Sequence, residues 1–264
     1  MARGFVGPTP AEFIVTMTNT LLEENNFAFL PRKMVQEVTA TYQADPSNES
    51  ASGMVSYWND CVPQTDEKGR AVYPQKKSLV SYFDAVTLER TSGPSTSIEH
   101  IDDTTVHGKG GSALRIHKAW PVESDDDAVL KSLRQLVSNI FATQFGTAEG
   151  FEMMQSAYRV VTRPAAKSSD PGPEGVHQDD ADLTAIVLVN KDNVEGAENR
   201  VWTLDQPFGK ASDVDTYGDD LIKSLALDHP LDMLLVSALL DCVSVSVFWC
   251  LCVCLSLSLS IRHT

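Results

Sequence analysis

This sequence is short of positive charge. Its 21 Lys and Arg stand against 36 Asp and Glu, a formal net charge of −15, and no basic cluster relieves the deficit. Nucleic acid and anionic membrane surfaces both require concentrated Lys and Arg, so neither is an expected partner. Cysteine is almost missing upstream: Cys61 stands alone, and Cys242, Cys250, Cys252 and Cys254 crowd the C-terminal end. An odd count distributed this way does not make a secreted disulfide framework. The opening MARGFVGPTPAEF lacks an apolar stretch before a small-residue cleavage site, so no secretory signal is read and a reducing, cytoplasmic setting is expected. Internal repeats are lacking too. What remains, 264 residues with 42% hydrophobic content, is enough for a packed globular body.

Thr9-Pro10-Ala11-Glu12 has the form of a helix start, with Thr as N-cap, Pro at the first helical position and Glu closing a capping box. FIVTMTNTLLEENNFAFL then reads as that helix running into a short strand, and LPRKMVQEVTATYQA as a second helix. Between residues 45 and 124 the Gly, Pro, Ser and Thr clusters leave short strands, GMVSYWND, KSLVSYFDAVTLE and SALRIHKAW among them. Ser124 is the expected N-cap of a helix over 125–145, whose Val129, Leu130, Leu133, Leu136, Val137, Ile140 and Phe141 form one apolar stripe. AYRVVTR, LTAIVLV and NRVWTL read as strands, with a mobile loop at RPAAKSSDPGPEG and a turn at KDNVEGAE. Helices beside a mostly antiparallel sheet predict an α+β fold, an α-flanked β-sandwich or jelly roll.

His177 and Asp179 carry the chemistry. Residues i and i+2 of a strand share a face, so both side chains can point the same way. An imidazole and a carboxylate are two of the three donors in the facial triad that binds Fe(II) with positions left open. The spacing alone equally describes a polar strand entrance with Asp capping a turn.

The surroundings favour the metal. PEGVHQDDADLTAIVLVNKDNVEGAENRVW resembles the signature of iron- and 2-oxoglutarate-dependent dioxygenases of the type that hydroxylates free amino acids such as isoleucine. Pro173, Glu174, Gly175, His177, Asp179, Asn193, Gly196 and Glu198 match, whereas Asp180 and Ala197 stand where glycine is usual. The resemblance spans about Tyr158 to Leu235. It implies a double-stranded β-helix (jelly roll, cupin-like) flanked by N-terminal helices, with His177 and Asp179 as ligands of Fe(II) and 2-oxoglutarate as co-substrate. Tyr158, Arg159 and Arg200 are candidates for lining the substrate pocket, each equally readable as a strand-surface residue.

The same family requires a second histidine on a later strand and an arginine that forks onto the distal carboxylate of 2-oxoglutarate. After Val236 the sequence turns to SALLDCVSVSVFWCLCVCLSLSLSIRHT, with no histidine before His263 and no arginine before Arg262. His229, beside Pro230, reads as a loop residue rather than a substitute ligand. His100, His107 and His117 read as surface or strand residues, and HGKGG at 107–111 as a turn without phosphate-loop spacing. The Cys250-x-Cys252-x-Cys254 run lacks zinc spacing.

Three readings of the end stay open. From Cys242 to Ile261 there are 20 consecutive uncharged residues, long enough as a helix to cross a membrane. Five serines and the V-S-V-S-V and L-S-L-S-L-S alternation instead suit strands. Translated CT-repeat DNA beyond a missed splice site would also look like this, and that reading is preferred here. The expected organisation is therefore a dioxygenase-like domain over 1–236, incomplete at its C-terminus, and an atypical tail over 237–264. The expected function is oxygenation of a small molecule such as a free amino acid, impaired by the missing donors. The competing expectation is a non-catalytic truncated paralogue or a binding protein anchored through residues 242–261.

Overall fold

The computed structural model describes residues 7–39, 57, 60–63, 65, 69, 76–93, 95–99, 114–146, 151–160, 181–191, 198–203, 221–237, 242–246 and 252–261. The chain opens with helix α1 (Pro10–Asn25), strand β1 (Phe27–Leu30) and helix α2 (Arg32–Val38), followed by strands β2 (Val62–Pro63), β3 (Lys76–Asp84), β4 (Ser95–Glu99) and β5 (Leu114–Lys118). Helix α3 (Ala128–Phe145) precedes β6 (Phe151–Val160), β7 (Leu183–Lys191), β8 (Glu198–Thr203) and β9 (Leu221–Ala226). The last strands are β10 (Met233–Ser237), β11 (Cys242–Ser246) and β12 (Cys252–Ile261).

The capping box forms as expected. Thr9 Oγ1 accepts from the Glu12 amide at 3.3 Å, and the Thr9 amide donates to Glu12 Oε2 at 2.8 Å. Asn26 ends α1 at φ 64°, a left-handed position that asparagine tolerates. The start of α3 differs from expectation. Residues Val122–Asp126 make a 3-10 turn after Pro121, and Asp127 rather than Ser124 caps the helix, accepting from the amides of Val129 and Leu130 at 3.0 and 2.9 Å. Ser124 Oγ is occupied inside the turn, donating to the Pro121 carbonyl.

Seven strands form an antiparallel sheet in the order β1-β10-β7-β12-β6-β3-β2, and a smaller sheet runs β11-β8-β9. Helices cover one face of the large sheet. Ile14 and Leu22 of α1 and Leu133, Val137 and Ile140 of α3 pack against alternate strand residues such as Leu183, Ala185, Val187 and Leu257. The intervening residues of β7 and β10, Ile186, Leu188, Leu234 and Val236, form a second cluster on the opposite face, joined by Leu225 of β9. The small sheet therefore closes over the face that the helices leave. This is a mixed α+β jelly roll.

The stretch set apart as a tail from its composition supplies two strands. β12 pairs with β6 on one side and β7 on the other, in the middle of the large sheet. Leu257 and Leu259 are fully buried in the helix-facing core. Ser258 points to the other face, where its Oγ lies 3.4 Å from Thr184 Oγ1. Over Leu257–Leu259 the Leu-Ser alternation thus has the phase of a strand buried on both faces, apolar toward the helices and small and polar on the other side. The uncharged run from Cys242 to Ile261, read as helical for the membrane alternative, takes strand form over 242–246 and 252–261. No helix among the described residues is long and apolar enough to cross a membrane.

Candidate functional site

Cross-strand pairs fix which residues face the space between the sheets, because directly opposed residues of a ladder share a face. On the large sheet Ser156 is opposite Val80 of β3 and Ser256 of β12, and Ser256 is opposite Ile186 of β7. Ile186 belongs to the inner cluster, so Ser156 looks into the same space. Tyr158, two residues on, shares that face and is half-buried. On the small sheet Asn199 is opposite Leu225, which packs against the inner cluster, so Asn199 also faces inward. Val201, on the same side of β8, is fully buried.

Two of these inner residues are polar and unsatisfied. Asn199 is 1% exposed, yet neither its Oδ1 nor its Nδ2 has a hydrogen-bond partner. Ser156 is wholly buried and its Oγ is likewise without one. A buried polar group left this way costs about 1–3 kcal/mol, so the arrangement is suited to a polar occupant.

The residues expected to line the pocket are distributed differently. Tyr158 faces the inner space. Arg159, the next residue on β6, points to the opposite side of the sheet. Arg200 lies on the outer face of β8, where Nη2 contacts Glu198 Oε2 at 3.2 Å beside Ser224. His229 is exposed in the turn before β10, a loop residue whose amide donates to Asp232. His117 is buried on β5, with Nδ1 3.1 Å from Ser78 Oγ. His177 and Asp179 lie outside the described residues, as do His100, His107 and the 107–111 turn. Among the described residues no three His, Cys, Asp or Glu gather to hold a metal ion.

Asn199 and Ser156 were not singled out from sequence. The available signal was phase: in NRVWT an amide occupies the same side as Val201, and in MQSAY a serine occupies the same side as the tyrosine already suspected.

Tyr82 of β3 belongs to the inner row as well, opposite Met154. Burial, helped by the negative charge of Glu152, pushes its phenol up from about 10 to about 12.

A helix-covered sheet whose other face packs against a smaller sheet defines the jelly-roll class, and comparison with known proteins specifies the family. The family model of the 2OG-Fe dioxygenases matches residues 88–238, and the chain belongs to that family. Its members use Fe(II) and 2-oxoglutarate, for which an imidazole and a carboxylate are fitting donors.

Among solved structures, a bsmA homolog from Methylobium petroleophilum superposes with a TM-score of 0.67 at 17% identity, covering 94% of this chain and 93% of that one. IDO from Bacillus thuringiensis gives 0.64 at 10% identity, covering 94% and 100%. The Fe(II)/α-ketoglutarate-dependent dioxygenase TqaL gives 0.65 at 13%, covering 98% and 91%. At these identities the likeness establishes the fold, and coverage of 98% takes in the C-terminal strands. No curated protein matches.

Proposed function

We propose that this chain is an Fe(II)- and 2-oxoglutarate-dependent oxygenase that hydroxylates a small molecule, a free amino acid being the favoured class, with His177 and Asp179 as iron ligands. The observation that carries the reading is the family match over 88–238, which includes both residues. Asp179 precedes Leu183, the first residue of β7, by four positions in the sequence.

When bound, iron held by His177 and Asp179 together with 2-oxoglutarate would let dioxygen act as the oxidant, one oxygen atom going to the substrate and the other to succinate as 2-oxoglutarate loses CO2. The protein's own part is to bind and orient. The inner faces of β6 and β8 carry Tyr158, Ser156 and Asn199 on the side of the sheets where Ile186, Leu188 and Leu234 pack.

Anaerobic titration with Fe(II), followed by measurement of succinate on admitting oxygen, tests this. Metal uptake that requires both His177 and Asp179, with succinate released in proportion, supports the assignment. Uptake unchanged in the His177→Ala, Asp179→Ala double variant would remove it. Metal-dependent binding without succinate under any substrate would favour the non-catalytic alternative.

A further inference from the structure

We propose that strand β1 is a self-association edge, through which two copies of this chain pair antiparallel about a two-fold axis and continue the large sheet from one molecule into the next. The inference is independent of the iron motif. β1 ends the seven-strand sheet, so among the described residues one of its sides has no ladder partner. Exposed sheet edges are normally blunted by charge, proline, a bulge or extreme shortness. The far end of the same sheet follows that rule, since β2 is two residues long and closes on Pro63. β1 does not: it reads Phe-Ala-Phe-Leu, pairs with β10 without a register shift, and leaves Phe29 36% exposed.

Hydrogen-bond phase identifies the groups on the open side. The Ser237 amide donates to the Asn26 carbonyl at 3.0 Å, and the pairs that follow run from Phe27–Val236 to Leu30–Met233. Ala28 and Leu30 therefore turn their backbone groups toward β10, and Phe27 and Phe29 turn theirs outward. An antiparallel second copy with Ala28 opposite its own counterpart sets Phe27 against the other copy's Phe29, and each such pair exchanges both of its backbone bonds. Sliding the register until Phe29 met itself would set Phe27 against Pro31, which has no amide to give. The side chains agree with the first register. Phe27 packs with the inner cluster and Phe29 is opposite Leu234 of that cluster, so both rings lie on the face away from the helices. Pairing brings them together as cross-strand aromatic neighbours, while the small Ala28 side chain permits close approach at the axis.

Charge fixes the direction and the partner. Glu23 and Glu24 precede β1 at the end of α1, where the last turn holds no basic residue, and Arg32 and Lys33 follow it in α2, whose first turn holds no acid. Each pair sits at the helix end whose dipole disfavours it. Glu23, Glu24 and Lys33 are exposed, and none of the four forms an ion pair among the described residues. Antiparallel pairing lays the acidic flank of one copy beside the basic flank of the other at both ends of the edge. Parallel pairing would set like charges together. A foreign strand would need this same order of acid, apolar edge and base, which a second copy has by construction. The edge is short, so the dimer is a weak and reversible one.

The test is sedimentation velocity of the full chain across the micromolar concentration range. The parent should pass from monomer to dimer as concentration rises. Phe29→Pro removes an outward amide and leaves the ladder with β10 in place, so it should weaken the dimer about tenfold or more. Phe29→Lys puts a charge on the exposed edge and should do the same. Glu23→Lys and Lys33→Glu, exposed changes outside the strand, should each weaken the dimer severalfold, and combining them should restore it to within about twofold of the parent. A parent that stays monomeric overturns the proposal, since the edge is then covered or inert. A dimer that persists in both Phe29 variants overturns it too, because association then runs through another surface. A double charge variant no tighter than the singles rules out the antiparallel arrangement and the proposal with it. Metal uptake plays no part in the readout, so the edge can fail while the oxygenase reading stands.

Discussion

Single side chains join the helical layer to the sheet, and Arg90 does most of this. Its guanidinium donates to both carboxylate oxygens of Asp125, to Ser81 Oγ, and to the carbonyls of Trp120 and Pro121. Ser81 Oγ also accepts from the Trp120 amide, so one arginine locks β3 to the segment that leads into α3. Arg134 of α3 lies 4.4 Å over the Phe83 ring, with Nη1 on Gln155 Oε1 and Nη2 on the Asp125 carbonyl. Burial lowers its pKa from the usual arginine value. Replacing Arg90 by alanine would strand a carboxylate and two carbonyls, so a loss of about 2–4 kcal/mol is expected in urea unfolding. Lysine should rescue little, because a single ammonium cannot reproduce the fork. A variant within 0.5 kcal/mol of the parent, roughly the ordinary surface range, would show that this hub is dispensable.

Tyr82 gives a second prediction at this scale. Its phenol is neutral below about 10 in the unfolded chain and up to about 12 in the folded one. Between these values the unfolded state has already lost the proton, so it binds fewer protons than the native state and stability falls as pH rises. The contribution is fully present below pH 10 and is lost through about 12. Tyr82→Phe should flatten the alkaline limb of a denaturation curve and leave the neutral plateau intact. Identical limbs in the two proteins would contradict the assignment.

At the scale of elements, legibility followed how local the determining signal is. The capping box of α1 and the apolar stripe of α3 are written within a few turns of chain, and both helices appear where they were expected. The cap of α3 moved from Ser124 to Asp127 because Pro121 opens a short turn that consumes the serine hydroxyl. β12 was harder to read. Its serines look unsuited to a core until Thr184 of β7 is placed beside Ser258, a pairing that depends on residues far apart in the chain. Asn199 was illegible for the same reason: its inward orientation follows from Leu225 across the ladder. The His177/Asp179 motif stood out because its signature is contiguous.

The central place of β12 has a direct consequence. Leu257→Ala, at a site with no exposure, should cost about 2–5 kcal/mol. Deleting residues 252–264 should remove cooperative unfolding altogether, since β6 and β7 would both lose their ladder partner. A truncated chain with an unchanged urea midpoint would mean that the segment contributes nothing to the sheet.

On the scale of the whole molecule, the iron motif precedes β7 in the sequence, and the neighbours of β7 in the sheet are β12 and β10. An ion that binds only the folded arrangement must stabilise it by mass action, by about 2.7 kcal/mol at a hundredfold excess over its dissociation constant. Mn(II), which does not oxidise under air as Fe(II) does, is the convenient probe. We expect the melting temperature of the full chain to rise by several degrees on saturation and to depend on metal concentration. His177→Ala, Asp179→Ala should abolish the shift while leaving the metal-free melting temperature close to that of the parent. If Mn(II) stabilises the double alanine variant as strongly as the parent, the ion is held by other residues.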